Sequence, residues 1–179
     1  LNLMDNCKES WLQPEKPFKG KLNDWIEVLM ISLSDDRQHV RDRLEQMIWW
    51  KYSHPEDYQL PFLLMFGEGG TGKNEFVTLF LSVIFGGNQT TVLGFEDVFG
   101  QFCGTVEGKV IVAIDEAIHT KSDSESIKRV AGNKYRFINH KGGPQYAIPQ
   151  IAWHILNSNS LRGSVVVDGS SSDRRYVFV

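Results

Sequence analysis

One stretch decides how the rest of the chain is interpreted: Gly67-Glu68-Gly69-Gly70-Thr71-Gly72-Lys73-Asn74. It follows the phosphate-binding pattern G-x-x-x-x-G-K-[ST], the Walker A motif, at each fixed position except the last, which is Asn74. Glycines allow the backbone to aim several N–H groups inward, and Lys73 can reach the β- and γ-phosphates of a nucleotide. We therefore predict that residues 67–75 bind a nucleotide.

The sequence on either side of this stretch predicts a strand–loop–helix unit. Before it, residues 60–66 form a short apolar run typical of a buried strand. After it, Glu75 to Phe85 is nearly all apolar and predicts a helix that Gly86-Gly87 ends. This order places a helix N-terminus at the phosphates, whereas the alternative is a glycine-rich turn of any α/β protein. A Ser or Thr hydroxyl normally ligates Mg²⁺ at the position of Asn74, and an amide oxygen can substitute for it.

The composition limits the classes of protein to which the chain can belong. With 19 basic and 22 acidic residues the net charge is -3, so any surface for nucleic acid must be local. Cys7 and Cys103 are isolated and the histidines match no metal spacing, which favours a reduced, intracellular protein. The sequence shows no signal peptide and no apolar run of membrane length, so we expect no membrane partner. It opens on Leu1 and stops inside an apparent strand, which suggests a piece of a longer protein.

The pattern of apolar residues predicts two parts along the chain. Residues 1–55 are expected to form a helical lead-in, with helices near Asp24 to Ser32 and Arg37 to Lys51. Residues 56–179 are expected to form the nucleotide-binding core, an α/β fold with a mostly parallel central sheet flanked by helices. Thr90 to Leu93 would supply its second strand.

A further motif of the core is an apolar run that ends in two acids. Val110 to Ile114 is typical of a central parallel strand buried on both faces, and Asp115-Glu116 follow it directly. Such a strand delivers both carboxylates at its carboxyl end, beside the phosphates. Asp115 would hold Mg²⁺, directly or through water, and Glu116 would orient the attacking water. This Walker B pattern is common by itself, and its position downstream of a phosphate loop strengthens it.

The stretch from Lys128 to Pro144 is basic and contains no acid, although the chain as a whole is acidic. Tyr135 to Ile138 alternates like a strand, residues 139–143 have turn chemistry, and Gln145 to Ile148 can pair back. This predicts a hairpin with basic residues at and beside its tip. Basic side chains interleaved with aromatics suit a nucleic-acid strand, and a solvated hairpin that binds nothing is the alternative. The DNA-binding candidates are Lys134, Arg136, His140 and Lys141.

Polar residues also accompany the last two predicted strands. The strand at residues 151–156 is followed by Asn157-Ser158-Asn159, where an amide can contact the γ-phosphate or the attacking water; an ordinary Asn-rich turn is the alternative. The final strand carries Arg174-Arg175 at its start. An arginine near a phosphate site stabilises the charge of the transition state, from the same or a neighbouring subunit, and surface ion pairs are the alternative.

The order of these motifs resembles that of the superfamily 3 helicases of viruses, phages and plasmids. The similarity is greatest to the helicase domains of phage and plasmid primase-helicase (primase-polymerase) proteins, and it covers roughly residues 40–179. Its specificity lies in the ordered set of motifs. The resemblance implies a P-loop NTPase with an AAA+-like core, a hexameric ring with ATP at subunit interfaces, and hairpins that grip single-stranded DNA in the central channel.

Carried over motif by motif, the resemblance assigns roles to residues of this chain. It places the catalytic roles at Lys73, at Glu116, at Asn159 as the sensor, and at Arg174 or Arg175 as the arginine finger. Tyr176 after the pair favours Arg175. The magnesium position falls on Asn74 and Asp115, and the hairpin tip falls on His140-Lys141. The resemblance also implies a primase or polymerase domain elsewhere on the full-length chain, and the cytoplasm of a bacterial host as its location.

These observations predict an ATP hydrolase of the DNA helicase type. It would use ATP and Mg²⁺ to move single-stranded DNA during phage or plasmid DNA replication. The alternative from a different class is a P-loop ATPase that assembles or remodels proteins without DNA translocation, which the basic hairpin disfavours. A P-loop kinase is a third interpretation, disfavoured because the sequence offers no candidate acceptor site.

Overall fold

The computed structural model describes residues 24–115, 121–159 and 176–179. The described residues begin with two helices, α1 (Asp24–Ser34) and α2 (Gln38–Ser53). The turn between them is made by Asp35 and Asp36, whose φ angles are 52° and 53°. Aspartate is among the side chains that enter this left-handed region most readily, because its short polar group can bond the nearby backbone.

A parallel sheet forms the centre of the fold. The described residues form seven strands: β1 (Phe62–Phe66), β2 (Thr90–Leu93), β3 (Ile111–Ile114), β4 (Tyr135–Ile138), β5 (Tyr146–Pro149), β6 (Trp153–Ser158) and β7 (Tyr176–Phe178). Five of them make one sheet in the order β2-β3-β6-β1-β7, with each neighbouring pair parallel. The prediction of an α/β fold with a mostly parallel central sheet is confirmed.

Both faces of this sheet are covered, as the apolar runs of parallel strands require. On one face, Leu63 and Met65 of β1 share a buried cluster with Leu29 of α1 and Leu44 of α2. On the other face, Leu64 belongs to a second cluster with residues from the rest of the chain. The two leading helices therefore contribute to the same core as the sheet, and the boundary at residue 55 stays a prediction.

The end of α2 is attached to the sheet through a buried cation. Lys51 has no exposed surface. Its ammonium donates to the carbonyl oxygens of Pro55, Asp57 and Ile151 at 2.7, 2.9 and 2.6 Å. Three donors thus meet three acceptors, which offsets the cost of removing the charge from water.

The helix after the glycine loop has a π-helical middle. It consists of α3 (Lys73–Glu75), a π-helical segment (Phe76–Leu81) and α4 (Ser82–Phe85). The predicted helix is therefore present and begins at Lys73. Within it the Thr78 hydroxyl donates to the carbonyl of Asn74 at 2.8 Å, and the Ser82 hydroxyl donates to the carbonyl of Thr78. Such bonds compete with the regular backbone ladder, and π segments are frequent at functional sites.

The opposite side of the sheet carries two short helices and the hairpin. The helices are α5 (Phe95–Phe99) and α6 (Lys121–Val130). The hairpin pairs β4 with β5 antiparallel, with Tyr135 opposite Pro149 and Ile138 opposite Tyr146. The predicted hairpin is therefore present, with its second strand one residue further along than expected. In the described part of the chain every helix falls short of the length and apolarity needed to cross a membrane.

Candidate nucleotide site and hairpin surface

The loop that follows β1 is shaped by glycines with positive φ angles. Gly67, Gly70 and Gly72 have φ angles of 157°, 82° and 88°. A Cβ atom at Gly72 would lie 2.9 Å from Leu29 Cδ1, so the end of the Leu29 side chain would have to shift. Helix α1 thus packs directly against the loop, and the left-handed backbone angle favours glycine at position 72.

The Lys73 side chain folds back into this loop. Its ammonium donates to the carbonyl oxygens of Gly67 and Glu68, both at 2.8 Å, and to the Thr71 hydroxyl at 3.2 Å. The Thr71 hydroxyl in turn donates to the Glu68 carbonyl at 3.1 Å. The loop therefore encloses the Lys73 ammonium, whose three N–H donors all point at oxygen atoms of the loop. An anion of suitable shape can compete for those donors.

The parallel sheet brings three strand ends to the loop. Strand β6 lies between β1 and β3, with Phe66 opposite Ser158 and Ile114 opposite Leu156. The Gly67 N–H donates to the Ser158 carbonyl at 3.2 Å, which ties the start of the loop to the end of β6. In open α/β sheets, ligands bind outside the carboxyl ends of the strands. The predicted site residues follow these ends.

A cavity of about 280 Å³ opens at the carboxyl ends of β1, β3 and β6. Its lining consists of Gly69, Gly70, Thr71, Gly72, Lys73, Asn74, Glu75, Asp115 and Asn159. Seven of the nine predicted loop residues are therefore in contact with the same space as Asp115 and Asn159. The other two, Gly67 and Glu68, face Lys73 through their carbonyls. The structure thus gathers the loop, one acid and one amide at a single cavity.

Beside the cavity, a buried asparagine contacts Asn74. Asn157, which is 1% exposed on β6, donates through Nδ2 to Asn74 Oδ1 at 2.7 Å. Asn74 Nδ2 in turn lies 3.4 Å from Asp115 Oδ2. Sequence reasoning missed Asn157 because it placed the functional amide after the strand, at Asn159. The signal that could have found it is an amide within an otherwise apolar central strand, where polar residues are costly.

The donor set of the cavity fits Mg²⁺. Asp115 offers a carboxylate, Asn74 can offer an amide oxygen once its amide rotates away from Asn157, and hard cations prefer oxygen ligands. Mg²⁺ sites of nucleotide enzymes use one or two such side chains and complete the octahedron with water and phosphate. Within the described residues no three His, Cys, Asp or Glu side chains come together, so an all-protein cage is not formed there.

Three predicted catalytic residues lie outside the described part of the chain. They are Glu116, Arg174 and Arg175. Their assigned roles, orienting the attacking water and stabilising the transition state, therefore stay predictions.

Arg136, a predicted DNA contact, is buried. Its side chain lies on the inner face of the hairpin, only 9% exposed, with its guanidinium 6.0 Å from the centre of the Phe99 ring. Burial lowers the pKa of Arg136. In this conformation Arg136 is turned away from solvent, because strand alternation turns Arg136 and Ile138 inward together, and its role as a DNA contact stays a prediction.

His140, predicted at the hairpin tip, is engaged with a neighbouring segment. Its Nε2 atom lies 3.1 Å from Glu107 Oε2 and 3.1 Å from the Tyr146 hydroxyl, which itself donates to Glu107 at 2.6 Å. The bond from Tyr146 is the main cause that lowers the pKa of Glu107, and the same bond raises the pKa of Tyr146. The His140 ring also fills the space beside Gly104. His140 thus fixes the hairpin and is only partly available to a ligand.

The outer face of the hairpin combines aromatic rings with lysines. Tyr135 and Phe137 are 57% and 64% exposed. Lys134 and Lys141 are also exposed, and the Lys134 ammonium lies 5.8 Å from the centre of the Tyr135 ring. The sequence shows that aromatic and basic residues alternate here, but the predicted DNA contacts included only the basic ones. We call Lys134, Tyr135, Phe137 and Lys141 the hairpin surface.

A buried histidine of the central sheet is His154. His154 of β6 stacks on Phe62, with ring centres 4.8 Å apart. Burial, followed by the positive charges of Arg136 and Lys51, lowers the pKa of His154 to about 3. Its Nε2 atom has no hydrogen-bond partner among the described residues. His154 is therefore neutral near pH 7, and its protonation would be costly.

Comparisons with known proteins give a family and a fold. A family model described as "Family of unknown function (DUF5906)" matches residues 65–175, more than half of the chain. The matched segment contains Lys73, Asn74, Asp115 and Asn159. Among curated proteins, none matches the chain.

Solved structures of the C-terminal region of NrS-1 have a similar fold. Three apo structures superpose with TM-scores of 0.72, 0.74 and 0.73, at sequence identities of 23%, 22% and 22%. The alignments cover 91%, 91% and 92% of this chain but only 38%, 39% and 38% of those chains. This chain therefore spans about two fifths of the structures that it matches. At such identities the similarity shows the fold alone.

Proposed function

The chain belongs to the family of unknown function DUF5906, and from that premise we propose that it is an ATP-hydrolysing domain of the DNA helicase type. The observation that carries the proposal is the cavity that joins the glycine loop to Asp115 and Asn159. A phosphate-binding loop, an acid for Mg²⁺ and a polar residue for the γ-phosphate are recurring parts of nucleotide hydrolysis. Their convergence from three strands in one cavity favours hydrolysis over a structural turn.

In this proposal the loop binds the phosphates of ATP. The Lys73 ammonium would exchange its bonds to the carbonyls of Gly67 and Glu68 for bonds to the β- and γ-phosphate oxygens. Asn74 and Asp115 would hold Mg²⁺, which supplies charge neutralisation at those oxygens when it is bound. The remaining task is to stabilise the γ-phosphate as the bond to it breaks.

We assign that task to the residues that directly follow β6 and β3 and to the arginine pair that precedes β7 in the sequence. Asn159 would contact the γ-phosphate or the attacking water, and Glu116 would orient this water. Arg174 or Arg175 of a neighbouring copy in a ring, in our proposal a hexamer, would stabilise the developing charge. A P-loop NTPase with an AAA+-like core is thus our proposal for the finer class of the fold.

The hairpin surface supports single-stranded DNA as the partner. Two exposed rings on one strand provide faces for base stacking, and Lys134 and Lys141 beside them can neutralise phosphates. Residues 126–167 contain no acid, so this region does not repel a polyanion. The revised set of DNA contacts therefore replaces Arg136 with Tyr135 and Phe137. Use in phage or plasmid replication, alongside a primase or polymerase domain, completes the proposal.

The test is ATP hydrolysis by the full-length protein with and without single-stranded DNA. Lys73→Ala should abolish the phosphate release that DNA stimulates. Lys109→Ala is the matched control, because Lys109 donates to the carbonyl of Asn88 away from the cavity, and it should keep the activity. Turnover that survives Lys73→Ala would contradict the assigned site. Absence of turnover in an assembled ring would contradict hydrolysis itself.

A protein assembly or remodelling ATPase is the second candidate. The observation that favours it is an exposed apolar stripe on α1, formed by Trp25, Val28 and Ile31. Exposed apolar patches commonly mark protein interfaces. Turnover that depends on Lys73 but does not respond to DNA would favour this candidate over DNA translocation.

A further inference from the structure

Two side-chain amides meet where the sequence motif departs from its usual hydroxyl. Asn74 stands at the last position of the loop pattern, and Asn157 approaches it from β6. Asn157 is 1% exposed within a central strand, and its Oδ1 atom is buried with no hydrogen-bond partner among the described residues. A buried amide that leaves one acceptor unpaired is costly. It therefore calls for an explanation specific to this site.

In the present arrangement Asn74 directs its amide nitrogen, and not its oxygen, toward the position where a cation would bind. Asn157 Nδ2 donates to Asn74 Oδ1 at 2.7 Å, so the Asn74 amide nitrogen faces Asp115 Oδ2 at 3.4 Å. An amide NH₂ group has two donors and no acceptor, and it cannot ligate a metal. In this state Asn74 and Asp115 interact with each other and form no pair of ligands.

A half-turn of both amides produces the opposite state. If the Asn74 amide rotates by 180°, its oxygen faces Asp115, an arrangement of two acceptors that is unfavourable unless a cation lies between them. Its nitrogen then faces Asn157. A matching rotation of Asn157 presents Oδ1, the atom that is now unpaired, as the acceptor for that nitrogen. The same two side chains can therefore bond each other in either state, with the Asn157 oxygen unpaired in one state and its NH₂ group in the other.

We propose that Asn157 is a positioning residue for the cation: it holds the Asn74 oxygen toward Mg²⁺ in the nucleotide complex and releases it otherwise. The inference rests on the proposed nucleotide function. A Ser or Thr hydroxyl at position 74 would need no such partner, because one oxygen both donates and accepts by rotating its hydrogen. Asn157 thus allows an amide to ligate the cation at the position where the motif usually has a hydroxyl.

The experiment measures how much Mn²⁺ strengthens binding of ATPγS, a nucleotide that is hydrolysed slowly, to the full chain. Dissociation constants are determined by calorimetry with Mn²⁺ and with a chelator in four proteins: wild type, Asn157→Leu, Asn74→Thr, and the double variant. Losing one hydrogen bond to a metal ligand should reduce the Mn²⁺ enhancement about tenfold in Asn157→Leu. In the Asn74→Thr background the same change should have an effect below about twofold, because the hydroxyl orients itself.

Two further variants separate positioning from folding. His154→Leu changes a buried polar residue on the same strand and should leave the Mn²⁺ enhancement unchanged, since it packs on the other side of the sheet with Phe62. Asn157→Asp, which accepts but does not donate when ionised, should keep an enhancement at least equal to that of the wild type. It serves as the test if Asn157→Leu does not fold.

The possible results distinguish this inference from the proposed function. Equal losses from Asn157→Leu in the wild-type and Asn74→Thr backgrounds, no loss in either, or a tenfold loss in Asn157→Asp would each overturn the positioning role. ATPγS would still bind in those cases, so the nucleotide site would stand. Failure of the wild type to bind ATPγS would overturn the nucleotide function, and this inference with it.

Discussion

Sequence patterns predict both the glycine loop and the hairpin, yet these patterns constrain the two regions differently. In the loop the backbone is the functional group, so the residues that permit its conformation also determine where its N–H groups point. In the hairpin the side chains are the functional groups, and each strand can present either face. The loop residues accordingly gather at one cavity, whereas one of the four basic hairpin residues, Arg136, is buried and another, His140, is engaged with Glu107.

This difference shows that the sequence predicts the structure of a motif more directly when the motif depends on backbone geometry than when it depends on charge. Gly72 has a φ angle of 88°, a left-handed conformation that glycine adopts without strain, so its role follows from the local backbone. Arg136 could occupy either face of β4 until tertiary packing against Phe99 decided the matter. Substitutions in the two regions should therefore fail in different ways.

The largest effect is expected at the loop. Gly72→Ala forces a side chain into a left-handed conformation, at a cost of about 1–3 kcal/mol. The free loop can avoid this cost by leaving the conformation, and a nucleotide that needs the conformation must restore it, so binding should weaken roughly tenfold to a hundredfold. Gly87→Ala is the matched control, because a Cβ atom at Gly87 meets nothing within 4 Å. Titration of a fluorescent ATP analogue compares the two. Equal affinities would mean that the loop geometry does not determine binding.

Much of the fold could be predicted from the sequence because it depends on local patterns. Apolar runs located β1, β2 and β3, and turn residues located the hairpin. The π-helical segment at Phe76–Leu81 could not be predicted in this way, because the Thr78 and Ser82 hydroxyl bonds that accompany it compete only slightly with the α-helical ladder.

The remainder of the site depends on contacts between residues far apart in sequence. Asn157 meets Asn74 only because β6 inserts between β1 and β3, a strand order that no periodicity encodes. Similarly, the alternation of Tyr135 to Ile138 predicts a strand but not which face is buried. An apolar-inside rule would have buried both aromatic rings, and the structure exposes them instead.

The next effect is expected on the hairpin side of the sheet, where His154 is buried. Its pKa is lowered to about 3, below its ordinary value of 6.5, so between these values the unfolded chain binds a proton that the folded chain does not. Stability is therefore retained above the ordinary value and falls as the pH decreases, by about 2 kcal/mol at pH 5. Urea unfolding at pH 7 and pH 5 measures this loss.

Substitution identifies the group responsible for that pH dependence. His154→Leu should abolish most of the loss of stability between pH 7 and pH 5. His39→Gln changes an exposed histidine on α2 and should retain the loss. If the stability of His154→Leu depended on pH as that of the wild type does, protonation of a group other than His154 would cause the loss.

A smaller effect is expected from the aromatic part of the hairpin surface. Tyr135→Ala and Phe137→Ala should each weaken single-stranded DNA binding about tenfold, since stacking of one base contributes about 1–3 kcal/mol. Trp49→Ala removes another exposed ring, on α2, and should not change the affinity. Fluorescence anisotropy with a labelled oligonucleotide provides the measurement. If all three variants behave alike, the hairpin rings are not stacking platforms.

The smallest effect should separate the exposed lysines from the buried arginine. Each phosphate contact on single-stranded nucleic acid contributes about 0.7 to the slope of log affinity against log salt concentration. Lys134→Ala and Lys141→Ala should therefore each reduce this slope by about 0.7, with a severalfold loss of affinity at moderate salt. Arg136→Met removes a charge that is turned toward Phe99 and should leave the slope unchanged. A reduced slope in Arg136→Met would mean that Arg136 contacts a phosphate and that the hairpin opens when it binds DNA. The loop and the hairpin would then also differ in mobility, because the hairpin would change conformation on binding.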